Sequence, residues 1–399
     1  MTARPRIYDA MLAGHLRRWR QMAFVSGPRQ VGKTTTCRRL GDAYFNLDDP
    51  ADRAAIMGSP AALTARLGLD KVRKRKAVVV LDELHRWKKW KRFLKGFFDR
   101  WEAHVRIIVT GSARLDVYRR GSDSLLGRYF PYRMHPFSIG EIARRRPPDS
   151  IPPPPVPVPR ADASALWEFG GFPEPFLRRD RRHFSRWQTA RTQVVLREEL
   201  RDLTRVEEIA QMEAFARLLA GRSSARLVYS HVAGELSVPV STAIRWTSTL
   251  VALHQGFLLR PWHRKIARSL RKEPKWYLRD WSTVSDPGAR AETYLACHLL
   301  KAVDGWTDLG LGTFGLWYLR DKAGREVDFL VTRDDQPWFL VEAKLSDGPL
   351  SPALAYFQAK TGARHAFQVA VQAPWVAANP FERTDPVKVP ALTFLSQLP

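Results

Sequence analysis

Cysteine is almost absent: Cys37 and Cys297 are the only two among 399 residues. They lie far apart, each in a predicted helix, which excludes a disulfide framework. No CxxC pair or clustered Cys/His spacing occurs among the ten histidines, so a zinc site of that type is excluded too. No apolar run approaches the roughly 18 residues that cross a bilayer. The stretch from Met1 to Gln21 is broken repeatedly by arginine and does not read as a secretory signal. A soluble, cytoplasmic protein with no membrane partner is expected. Acidic residues are scarce as well, 40 against 65 lysines and arginines, for a net charge of +25. An excess of that size calls for a polyanionic partner, and nucleic acid is the commonest. With 45% apolar and 11% aromatic residues, the chain is globular and no disordered tail.

At about 150 residues per domain, the length suggests two or three domains. Residues 1–145 alternate short apolar runs with amphipathic stretches. The runs are Met22–Ser26, Ala43–Leu47, Ala77–Leu81, Arg106–Thr110 and Tyr132–Phe137. This alternation predicts an α/β domain on a largely parallel sheet. Residues 146–162 are proline-dense and read as an extended linker or surface insertion. Residues 163–222 follow a helical pattern, with arginines crowded between Arg178 and Arg205. Over residues 223–283, two short helical patterns are followed by a strand, a basic wing and a second strand. That order is a winged helix. Residues 284–399 return to α/β.

Gly27-Pro28-Arg29-Gln30-Val31-Gly32-Lys33-Thr34 fits G-x4-G-K-[ST] in full, with Thr35 following. An apolar strand runs into it and a predicted helix starting at Lys33 runs out, the context this pattern requires. The glycines let backbone N–H groups cradle phosphates at the positive end of that helix. Lys33 would reach the β- and γ-phosphates of ATP, and the Thr34 hydroxyl would ligate Mg2+.

Ala77–Leu81 reads as a buried parallel strand ending in Asp82-Glu83. The first acid would hold magnesium and the second would polarise the attacking water. The pair argues for hydrolysis over mere nucleotide storage. Arg106–Thr110 is a further core strand opening into Gly111-Ser112. A polar side chain there would sense the γ-phosphate, with Ser112 the first candidate and Thr110 the alternate. An arginine from a neighbouring subunit often completes such sites. Arg114, Arg119, Arg120 and Arg128 are the candidates, and the sequence does not choose between them.

Taken together, these motifs resemble AAA-type ATPases that carry a long C-terminal region of unknown function. Also shared are Asn46-Leu47-Asp48-Asp49-Pro50, Gly127-Arg128, Pro136-Phe137-Ser138, Gly170-Gly171-Phe172-Pro173, the run Lys275 to Asp280, and the run Arg325 to Phe329. The resemblance covers nearly the whole chain. It implies an ATPase domain, a winged helix and a C-terminal nuclease-like domain. The proline insertion is longer than the family leads one to expect.

Ser241-Thr242-Ala243-Ile244-Arg245-Trp246 would open the second helix of the winged helix, where hydroxyls and arginine contact phosphates and base edges. The wing from Arg260 to Arg279 holds eight lysines or arginines against Glu273 alone. Trp262, His263 and Trp276 interleave with them as candidate stacking faces. Trp87-Lys88-Lys89-Trp90-Lys91-Arg92 is a second cluster that could touch a nucleic-acid strand.

Further on, strand period two places Glu326 with Asp328 on one face, and Glu342 with Lys344. If the two strands pair as a hairpin, Asp328, Glu342 and Lys344 converge. The carboxylates could then hold a second Mg2+ or Mn2+, with the lysine orienting water. Glu292 is placed to join them as an outer acid. This looks like the D…(D/E)-x-K signature of the restriction-endonuclease-like fold, with thirteen residues between Asp328 and Glu342.

The leading reading is an ATP-hydrolysing protein that binds and processes DNA. The alternative is a nucleotide-controlled switch whose C-terminal half docks a protein partner and has no nuclease activity. A homo-oligomer is expected, with a hexameric ring among its candidate forms.

Overall fold

Short β-branched and aromatic runs become the strands of one parallel sheet, as their spacing predicts. In the computed structural model these are β1 (Met22–Ser26), β2 (Ala43–Asn46), β3 (Ala77–Asp82), β4 (Val105–Thr110) and β5 (Tyr129–Arg133). The structure describes residues 4–58, 60–67, 75–84, 87–111, 125–148, 150–194, 209–263 and 273–399. The strand order is β2-β3-β4-β1-β5, every pair parallel. The register sets Asp82 beside Thr110 and Asn46, and Val25 beside Thr110. The carboxyl ends of β1, β3 and β4 therefore lie level, the edge where open α/β sheets bind ligands.

One expected strand is displaced. The run read as Tyr132–Phe137 pairs instead over Tyr129–Arg133. Pro136-Phe137-Ser138 leads into an Ile139–Ala143 helix, where the Ser138 hydroxyl accepts from the N–H of Glu141 at 3.2 Å. This segment packs with the second of two compact units, residues 136–144 and 148–399; the first is residues 1–135 with 145–147. Glu141 is fully buried there and accepts a hydrogen bond from Lys301, which also donates to the Pro136 carbonyl at 3.0 Å. The proline-dense stretch is tied down too: the Pro153 carbonyl accepts from Gln397 at 2.7 Å, and Val156 donates to the Ser396 hydroxyl at 3.1 Å.

In the second unit, helices Tyr229–Glu235 and Val240–Ala252 precede an antiparallel pair, β6 (Gly256–Leu259) and β7 (Lys275–Leu278). A mixed sheet follows: β8 (Phe314–Arg320), β9 (Glu326–Arg333), β10 (Gln336–Lys344), β11 (His365–Ala370) and β12 (Val387–Pro390), ordered β12-β11-β10-β9-β8. The Pro287–Asp308 helix shares one core with this sheet, and the Pro352–Thr361 helix shares another. Strand alternation makes β7 a shared wall: Trp276 packs with Trp246 in the helix-pair core, while Tyr277 enters the core of the mixed sheet.

His298, on the Pro287–Asp308 helix, is buried between two backbone partners. Its Nε2 accepts from the N–H of Ile139 at 3.0 Å, so Nδ1–H donates to the Tyr294 carbonyl at 2.8 Å. Burial pushes its pKa down to about 3. The folded state therefore binds fewer protons than the unfolded chain, and this contribution to stability is full above about pH 6.5 and lost as pH falls toward 3. Each pH unit in that window is expected to cost about 1.4 kcal/mol. Denaturant titrations of the parent and His298→Gln across pH 3–7 check this, the variant showing the shallower slope.

Candidate nucleotide site and carboxylate centre

The loop from Gly27 to Thr35 joins β1 to the Lys33–Leu40 helix. Gly27 has φ 150°, and a Cβ there would lie 2.3 Å from the Met134 carbonyl oxygen, so only glycine fits. Gln30 at φ 61° and Gly32 at φ 101° add the backbone reversals from which anion-binding concavities are built. Arg6, 3% exposed, holds the loop from behind, donating to the Val31 carbonyl at 2.6 Å and the His135 carbonyl at 2.7 Å. The Lys33 ammonium donates to the carbonyls of Gly27 and Pro28 at 2.9 and 2.8 Å.

Asp82, at the end of β3, is the hub. The Thr34 hydroxyl and the Tyr44 phenol both donate to its Oδ2 at 2.8 Å. The Thr110 hydroxyl and the Glu83 N–H donate to its Oδ1, the latter at 3.1 Å. Burial, reinforced by the contact with Asp82, pushes the Tyr44 phenol well above its ordinary range. Glu83 has φ 54°, and its N–H also donates to the Thr110 carbonyl at 3.0 Å. A left-handed non-glycine residue costs on the order of 1–3 kcal/mol and persists only where its surroundings impose it. Such strain gathers at functional sites.

Thr34 and Asp82 supply a hydroxyl and a carboxylate side by side, an all-oxygen set that suits Mg2+. Ser112, Arg114, Arg119 and Arg120 lie outside the described residues. Arg128 forms an exposed bidentate pair with Asp99 on its own chain, at 2.7 and 3.0 Å. Tyr44 and Arg6 were not singled out from the sequence, because neither belongs to a phosphate-loop pattern. In the Trp87–Arg92 cluster Trp90 is buried in the first unit's core and offers no stacking face, while the half-buried Trp87 packs against that core.

In the second unit β9 and β10 pair antiparallel, with Phe329 opposite Val341 as the last partners. Asp328 and Glu342 come next, where the ladder ends. Asp328 Oδ2 accepts from the N–H of Ala343 at 3.0 Å, and Glu342 pairs with Lys344 at 3.0 Å. The structure also brings in a residue expected elsewhere. Lys275, counted among the wing's DNA-facing charges, has only 5% of its side chain exposed. Its ammonium lies 2.9 Å from Glu292, 2.6 Å from Glu326 and 3.1 Å from Asp328. The Tyr277 hydroxyl donates to the same Glu292 oxygen at 2.6 Å. Burial and then Asp328 push Glu292 up to about 7, against the pull of Lys275. Burial also raises Glu326, but Lys275 and Arg320 outweigh it and leave that carboxyl below its usual range.

Strand period two explains both surprises. Trp276 must face the helix-pair core, so Lys275 and Tyr277 face the carboxylates. Trp276 is 1% exposed and therefore offers no stacking face. Arg264, Lys265, Arg268 and Arg271 lie outside the described residues.

Comparison with known proteins agrees with the first half of this description. Residues 20–143 match the AAA domain family, and residues 160–286 match a family described as a domain of unknown function. Uncharacterized proteins of Mycobacterium bovis and Mycobacterium tuberculosis are 26% identical over 263 residues, 65% of this chain and 54% of theirs. The chain thus spans about half the length of these curated relatives. Among solved structures, Aeropyrum pernix Orc1 in complex with DNA aligns at 14% identity and TM-score 0.32, covering 72% of this chain and 90% of that one. AMPPCP-bound DnaA from Aquifex aeolicus aligns at 11% identity and TM-score 0.31, covering 60% and 86%. Phosphate loop, acidic strand end, parallel sheet and family match coincide: residues 20–143 have a P-loop α/β fold and match the AAA domain family.

Proposed function

We propose that this protein binds ATP with Mg2+ at the Gly27–Thr35 loop, hydrolyses it, and couples turnover to DNA engaged by its second unit. The observation that carries the ATPase reading is the Asp82 hub, which joins the loop's Thr34 to the end of β4 and leaves Glu83 next in line. Thr34 and Asp82 would hold the magnesium ion, which screens phosphate charge when bound. Lys33 would exchange its two loop carbonyls for the β- and γ-phosphates. Glu83 would take the proton of the attacking water, and a neighbouring subunit of a homo-oligomer would supply an arginine.

The DNA half of the proposal rests on the net charge of +25 and on the winged-helix order of elements from Tyr229 to Leu278. On the exposed side of the Val240–Ala252 helix lie Val240, Ser241, Ile244, Arg245 and Ser248. Such a face suits a major groove, where aliphatic groups meet thymine methyls and hydroxyls meet base edges. DNA affinity is expected to fall steeply with salt, since each phosphate contact releases a counterion. Neutralising Arg264, Lys265, Arg268 and Arg271 together should lower the log–log salt slope by up to about four units. Titrations of labelled duplex at several salt concentrations test this, and an unchanged slope would place the DNA elsewhere. Steady phosphate release by the parent, absent in Lys33→Ala, tests the ATPase half.

A further inference from the structure

The carboxylates Glu292, Asp328 and Glu342 with Lys344 are the residue types that hold a divalent ion in nuclease-like folds. Their arrangement here does not fit one. Among the described residues no three His, Cys, Asp or Glu side chains are disposed to hold a metal ion. We infer that Lys275 is the resident cation of this centre: its ammonium stands where the metal would, and the domain is built to work without one.

Three lines of geometry carry this. The ammonium has three protons, and three carboxylates surround it within 3.1 Å. Several of these oxygens are engaged further. Glu292 Oε1, already bound to Lys275, also accepts from Tyr277, while Glu326 Oε2 accepts from Arg320 at 2.7 Å, Asp328 Oδ2 from Ala343 and Glu342 Oε1 from Lys344. Glu342 Oε2 is buried without a partner, and Mg2+, which demands near-octahedral geometry, would need room there for the several waters it keeps. Finally, the backbone that carries the lysine is fixed. Its neighbour Trp276 is locked in the helix-pair core and Tyr277 in the mixed-sheet core. The Trp276 N–H donates to the Ala225 carbonyl at 2.9 Å, and its own carbonyl accepts from Ser224 at 2.7 Å. A dication would have to enter beside a desolvated ammonium, against like-charge repulsion, and compete for carboxylates that already neutralise Lys275.

The consequence is functional. The centre becomes an ionic junction that fastens β7 to β9 and the Pro287–Asp308 helix, and DNA bound there is held without being cut.

Mn2+ is the probe, with free ion followed by electron paramagnetic resonance on the nucleotide-free full chain. Parent and Asp328→Asn are expected to give the same binding curve. Lys275→Gln is expected to gain one Mn2+ site, at least tenfold tighter than any in the parent, and Lys275→Gln/Asp328→Asn to lose it. Duplex DNA incubated with the parent and Mn2+ should stay intact. A Mn2+ site in the parent that Asp328→Asn removes, or metal-dependent cleavage abolished by Asp328→Asn, would overturn the inference. So would a folded Lys275→Gln that gains no site. Should Lys275→Gln fail to fold, the comparison of parent with Asp328→Asn decides alone. Loss of ATP turnover or of DNA binding in the parent would instead sink the proposed function and leave this inference standing.

Discussion

Glu83→Gln is expected to bind ATP as tightly as the parent and to turn it over about 10²- to 10⁴-fold more slowly, the range a positioned general base contributes. Glutamine keeps the size and the left-handed backbone of this position, and the two bonds from its N–H to Asp82 and Thr110 are backbone bonds that survive. Only the proton acceptor is lost. Nucleotide affinity by fluorescence, set beside phosphate release, separates the two effects. Equal loss of affinity and turnover would remove Glu83 from the role of base and make it a structural residue of the loop.

Lys33→Ala is expected to fail at the earlier step. The ammonium would supply two charge-assisted hydrogen bonds to phosphate, at about 1.5–3 kcal/mol each. Their loss corresponds to a drop in ATP affinity on the order of 10²-fold or more. The same ammonium bridges the Gly27 and Pro28 carbonyls, so the variant also loosens the loop. Arg6 still holds Val31, and the fold should survive; a thermal midpoint close to the parent's checks that. Undiminished ATP affinity in Lys33→Ala would mean that nucleotide binds elsewhere.

The contrast between the two halves of the molecule shows what a sequence makes legible. The phosphate loop is a contiguous eight-residue pattern between a strand and a helix, and Asp82-Glu83 ends an uninterrupted apolar run. Local order alone positions them, so the parallel sheet and its loaded edge could be read directly. Arg6 and Tyr44 could not, because their work is done across 25 and 38 residues of chain. Lys275 is the more instructive case. Beside seven other basic residues it reads as part of a DNA-facing wing, and only the burial of Trp276 reveals which way the strand alternates. The clue was present in Lys275-Trp276-Tyr277, where two amphiphilic side chains flank a large apolar one. The displaced strand at β5 has a similar origin: Pro136 and the capping Ser138 end extended structure that the apolar run alone would continue.

The account stands or falls on whether this chain turns over ATP and whether DNA changes the rate. Phosphate release at saturating ATP and Mg2+ should be measured for the parent and Glu83→Gln, alone and with single-stranded, duplex and branched DNA. The account predicts steady turnover by the parent, raised by at least one DNA form, against a background rate for Glu83→Gln in every condition. A parent rate equal to that of Glu83→Gln throughout would contradict it.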